Sequence, residues 1–120
     1  MLKNVMAGLL LACATLTLSM CQKESTITYD CTGLTPTYNN DIKAIMNASC
    51  ALSGCHDASS REAGINLSSY AVVKAESAND RFLGSIEHQA SYRAMPEGES
   101  KLPQASIQKI YCWIQNGAPE

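Results

Sequence analysis

Large aromatic side chains are scarce, with one phenylalanine and one tryptophan in 120 residues. A chain of this length has room for one domain, and a small domain buries only about 60–70% of the surface its unfolded chain exposes. With so few bulky residues for a core, a disulfide, a metal or a cofactor is expected to add stability. An excess of positive charge is also missing. The formal net charge is −2, and loss of a leader containing Lys3 takes nine basic residues to eight against eleven acidic ones, net −3. No basic patch is visible, which argues against nucleic acid as a partner. There is no internal repeat, and no apolar run is long enough for a stable transmembrane helix.

What the N-terminus does have is an address. Lys3 opens a short positive segment, Val5 to Leu18 form an apolar stretch broken mainly by Thr15 and Thr17, and Leu18-Ser19-Met20-Cys21 closes it. Residues 1–20 therefore read as a secretory signal peptide. Leu three places before Cys21 resembles a bacterial lipobox, which implies lipidation of Cys21 as the mature N-terminus. Met20 departs from the small residue usual there, and Cys13 is the rival site. Gln22 to Ile27 is polar and suits a tether, and 21–37 is assigned to the lipidated N-terminus and tether ahead of a domain over 38–120. The expected location is outside the cytoplasm, anchored to a membrane through lipid and facing the periplasm or cell surface.

The chemistry concentrates in Cys50-Ala51-Leu52-Ser53-Gly54-Cys55-His56, where two sulfur nucleophiles and an imidazole fall within seven residues. The C-x-x-C-H form of this pattern attaches haem c: the thiols form thioethers with the haem vinyl groups and the His becomes an axial iron ligand. Here four residues separate the cysteines, and the two extra must bulge. Ser53-Gly54 suit a bulge, since Gly accepts positive φ and Ser supports local turns. Cys50 and Cys55 are thus expected to carry one covalent haem c, with His56 as proximal ligand. No second such motif occurs.

These residues resemble the small haem-c lipoproteins of bacteria, in which a C-x-x-x-x-C-H variant has Gly before the second Cys. The stretch Gly64 to Val73, with alternate apolar residues and a Ser-Tyr helix start, is similar to the same family. So is the order Met95-Pro96, Lys101-Leu102, Trp113-Ile114, Gly117-Ala118. The resemblance spans about residues 38–118. It implies an all-α, cytochrome c-like domain wrapped around one haem, with the Met-Pro position supplying the sixth ligand.

Local patterns agree with helices. Tyr38, Ile42, Ile45 and Met46 follow the 3.6-residue period, with Asn39, Asn40 and Asp41 available as caps, and predict a helix over 38–47 that delivers Cys50 from a rigid element. Asp57 to Ala63 reads as loop. Ser68 or Ser69 should cap the next helix, and 82–86 predicts a short helical piece. In the last helix Pro103 suits the first position, Ile107, Ile110, Tyr111 and Ile114 form one stripe, and Gly117 stands at C′.

Met95 is the expected sixth ligand on its own placement as well, because Pro96 stiffens the loop just after it. His88 is the competitor, and Met46 belongs to the core stripe. His–His ligation would lower the reduction potential and Met–His raise it. Trp113 and Tyr111 are expected to pack between the terminal helices or at a haem edge. Of six cysteines, Cys13 leaves with the leader, Cys21 takes lipid, and Cys50 with Cys55 take haem. Cys31 and Cys112 remain near the two ends of the domain. A bond between them would close a loop of about 80 residues and contribute on the order of 2–4 kcal/mol, though four mature cysteines allow three pairings.

The function that follows is electron transfer between redox partner proteins, without a substrate site and not as an enzyme. The alternatives are a zinc-binding lipoprotein using Cys50, Cys55 and His56, or a cofactor-free, disulfide-stapled interaction module with a Cys50–Cys55 bond.

Overall fold

The computed structural model describes residues 27–120; the signal segment, Cys13 and Cys21 lie outside them. The described residues are helical with no strand. A π-helical turn, Tyr38–Ile42, runs into α1, Lys43–Ser49; α2 is Tyr70–Ser77, α3 is Asp80–Ile86 and α4 is Gln104–Gln115.

The expected first helix is present but starts differently. Thr37, not an Asn, is its cap: its hydroxyl accepts from the Asn40 amide at 3.4 Å, and its own amide donates to the Asp41 carboxylate at 3.1 Å. Those contacts and Lys109, 3.2 Å away, hold the Asp41 carboxyl below its ordinary range, the Thr37 amide most of all. The Ile42 and Lys43 amides reach five residues back, to Thr37 and Tyr38, so the first turn is wide before α geometry takes over. Ser69 caps α2. Helix α3 starts at Asp80, two residues before the predicted piece, with Asn79 as its cap, whose side chain accepts from the Arg81 amide at 2.9 Å. Pro103 sits one place earlier than expected, at the cap itself. Its ψ of 139° is extended, while its carbonyl already accepts from the Ser106 and Ile107 amides.

Tyr38, Ile42 and Met46 fall on one face and pack with Ile107, Ile110 and Trp113 of α4, joined by Val73, Ile86 and Leu67. Met46 is core, as its place on the stripe predicts, and each such aliphatic side chain contributes about 1.5–3 kcal/mol on burial. The C-terminal tail locks the two faces together. The Pro119 carbonyl accepts from the Tyr38 amide at 2.9 Å and from the Trp113 indole at 2.7 Å. Tyr70 donates its hydroxyl hydrogen to the Ala118 carbonyl at 2.9 Å.

A disulfide joins Cys31 to Cys112 across 81 residues of sequence. It fixes the segment before the first turn against α4, where the Tyr29 and Tyr111 rings lie 5.4 Å apart and Gln108 donates to the Asp30 carbonyl at 2.7 Å. Tyr29 also donates to the buried Glu87 carboxylate at 2.5 Å, and Lys101 reaches the other oxygen at 3.0 Å. Burial first, and Glu87 second, push the Tyr29 hydroxyl up to about 12.

Candidate functional site: the cysteine–histidine loop and the Met95 turn

Helix α1 ends on Cys50, whose amide makes the last helical bond, to Met46. The chain then turns at Ser53-Gly54. Gly54 has φ +81°, the Cys55 amide donates to the Leu52 carbonyl at 2.9 Å, and the Gly54 amide donates to Ser60 Oγ at 2.8 Å. The His56 amide reaches back to the Cys50 carbonyl at 3.2 Å and closes the loop. The four-residue spacer is thus taken up by a glycine-dependent turn at the place where the sequence suggests one.

The next segment braces this loop. The Glu62 amide donates to the Cys55 carbonyl and the Leu67 amide to the His56 carbonyl, both at 2.8 Å. Ser60 and Ser59 bond the Asp57 carboxylate and hold it below its ordinary range. The stretch expected as loop carries a short 3₁₀ turn, Glu62–Gly64, flanked and interrupted by Arg61 and Ala63 at φ +46° and +55°. Left-handed conformation is uncommon for residues with a Cβ. Here it turns the chain so that Ile65 comes back over His56.

That return sets the imidazole. His56 Nδ1 lies 3.2 Å from the Ile65 carbonyl oxygen. A carbonyl only accepts, so a hydrogen bond here takes Nδ1 as its donor, and in the neutral ring that tautomer keeps the lone pair on Nε2, as in histidines that ligate a metal through Nε2. The two thiols are unpaired, Cys50 half-buried and Cys55 exposed. Burial, and then Cys55, push the Cys50 thiol up to about 11, so it stays protonated at neutral pH.

Met95 is held elsewhere, at the end of α3. Its amide donates to the Ser85 carbonyl and its carbonyl accepts from His88 Nε2, each at 3.0 Å; the Met95–Pro96 peptide is cis. The carbonyl partner means that Nε2 of His88 bears hydrogen, which leaves that nitrogen without a free lone pair. Arg93 pairs with Glu97 on the surface. Its guanidinium is held above its ordinary range by Glu97 first and, to a smaller extent, by Glu62.

The donor set fits haem c. Two free thiols, an imidazole with Nε2 available and a half-buried thioether are present. Ile45, Cys50, Ile65, Phe82 and Leu83 pack on the core while remaining only partly covered, and Leu52 in the loop is 44% exposed. Among the described residues no three His, Cys, Asp or Glu side chains come together as a metal-binding group. A cleft of about 320 Å³ lined by Ile27, Tyr29, Lys101, Leu102 and Ile107 includes none of the predicted site residues. Trp113, considered for a haem edge, is fully buried with its indole donor taken by Pro119.

Sequence reasoning overlooked two features. Ser85, an unremarked polar residue, offers the carbonyl that holds Met95. The hydroxyl of Tyr38 is buried with no hydrogen-bond partner among the described residues, and burial raises its pKa. The first had no signal in sequence, because a backbone acceptor carries none. Comparison with known proteins finds no family model, no curated protein and no solved structure that matches the chain. Among the described residues, no helix is long and apolar enough to cross a membrane.

Proposed function

We propose that this protein is a monohaem c-type cytochrome, exported and lipid-tethered through Cys21, that passes single electrons between redox partner proteins. The observation that carries the reading is His56 Nδ1 lying 3.2 Å from the Ile65 carbonyl oxygen beside two unpaired thiols: with Nδ1 as donor to that carbonyl, Nε2 would be left to bind iron. Cys50 and Cys55 would hold the haem through thioethers, with His56 and Met95 as its axial ligands. When bound, haem supplies a one-electron iron couple, whose potential a Met–His pair raises relative to bis-His.

The chain's own part is to hold and orient. α1 delivers Cys50 from a fixed end, the Ser53-Gly54 turn brings Cys55 and His56 back, and the Ile65 carbonyl fixes the imidazole plane. The half-buried apolar side chains around Cys50 would keep water from the iron.

The test is a reduced-minus-oxidised visible spectrum of protein exported with a cytochrome c maturation system, followed by haem staining of a denaturing gel. A sharp alpha band and covalent stain are expected, with the stain lost in the Cys50→Ser, Cys55→Ser double variant. A folded, fully exported sample with no absorption and no stain overturns the reading.

A further inference from the structure

Helix α3 ends in a Schellman motif. The Gln89 amide donates to the Gly84 carbonyl at 2.9 Å, and the His88 amide to the Ser85 carbonyl at 3.1 Å. That makes His88 the C′ residue, and it adopts φ +55°. C′ is where glycine is most common, because a Cβ is disfavoured in left-handed conformation. The turn asks only for glycine; the imidazole must be explained by what its ring touches. It touches Met95: Nε2 donates to the Met95 carbonyl at 3.0 Å, while the Ser85 carbonyl accepts from the amides of both His88 and Met95. Both backbone polar groups of Met95 are thus held by one helix end.

We infer that His88 is a positioning residue, a clamp that fixes the Met95 backbone so that its thioether stays at the sixth iron position, and that it is not itself a ligand. The inference rests on the haem reading above. It follows from donor chemistry. A nitrogen whose hydrogen points at a carbonyl has no lone pair for iron, and the remaining ring nitrogen, Nδ1, is crowded by its own Cβ. His56 and His88 are therefore opposite cases, one leaving Nε2 open and the other closing it.

The experiment uses full-length, haem-loaded protein and imidazole as an external ligand that competes for the sixth position. His88→Gly should keep the turn, the haem stain and the thermal midpoint, yet raise imidazole affinity on the order of fivefold, the scale of one net hydrogen bond. His88→Gln, which restores an N–H at similar reach, should fall between glycine and wild type. Met95→Ala should bind imidazole tightly, and adding His88→Gly to it should change nothing further, because the clamp acts only through Met95. Equal imidazole affinity in His88→Gly and wild type overturns the clamp. So does loss of the wild-type low-spin spectrum in His88→Gly together with its retention in Met95→Ala, which would make His88 the ligand. Failure of His88→Gly to fold contradicts the glycine-like role of the turn. A wild-type protein that takes up no haem overturns the cytochrome reading and this inference with it, and is told apart by the absent stain.

Discussion

Helices α3 and α4 end in the same motif built from different residues. At α4 the C′ residue is Gly117, φ +85°, and the Gly117 and Ala118 amides donate to the Ile114 and Trp113 carbonyls. Around it everything is closed: Trp113 is buried, the tail is bonded to Tyr38, and Cys112 is paired with Cys31. At α3 the C′ residue is His88. The cysteine loop has free thiols and a partly covered apolar surface. One side has spent its polar and sulfur chemistry on holding the fold; the other keeps it available. The difference teaches where to look for function, since a residue that is costly for its backbone role is explained by its side chain.

The strongest way to break the comparison is to open the closed side. Replacing Cys31 and Cys112 by alanine releases a loop spanning 81 residues of sequence, and chain entropy puts the loss at about 4 kcal/mol. Denaturant unfolding at neutral pH should show it as a markedly lower midpoint. A loss under ~1 kcal/mol would mean that the core of Tyr38, Ile42, Ile107 and Trp113 holds the termini without the bond.

Next in size is the reactivity of the two free thiols. At pH 8, iodoacetamide should modify exposed Cys55 first. Cys50, pushed up to about 11 by burial, should react roughly a hundredfold more slowly than an unshifted thiol. The sign follows from the thiolate being the nucleophile. Its fraction at Cys50 keeps growing as pH rises towards 11, so the Cys50 rate should climb across that range. Peptide mapping of the alkylated sites against pH measures both, and Cys50 reacting as fast as Cys55 at pH 8 would remove the distinction.

The smallest effect sharpens the comparison most. Gly117→Ala meets no atom within 4 Å, so its whole cost is the left-handed backbone, about 1 kcal/mol. A thermal melt should show that loss. If Gly117→Ala were neutral, a left-handed C′ residue would carry no penalty here, and the argument that His88 is explained by its ring would lose its premise.

Much of this was legible from residues in order. The helices over 38–47 and 104–115 follow apolar periodicity, the start of the one over 70–77 is marked by a serine before Tyr70, and Gly117 and Gly54 mark turns because only a residue without Cβ adopts positive φ freely. What stayed hidden has a common physical form. Thr37 as cap, the wide first turn, and Ser85 and His88 as partners of Met95 all depend on which backbone carbonyl or amide a group meets. A carbonyl looks alike at every position of a sequence.

Local chemistry alone thus dictated the helical class, the turn that brings Cys55 and His56 back towards Cys50, and the positions able to supply donors, because propensity, periodicity and glycine's freedom act within a few residues. The tertiary structure decided the rest. The four cysteines among the described residues allow three pairings, and only the packing of the segment after Tyr29 on α4 selects Cys31 with Cys112. Two histidines begin chemically alike, and only the carbonyls folded against them, those of Ile65 and Met95, leave Nε2 open on His56 and closed on His88. Those contacts require loops without periodicity to converge, and convergence is a property of the packed chain.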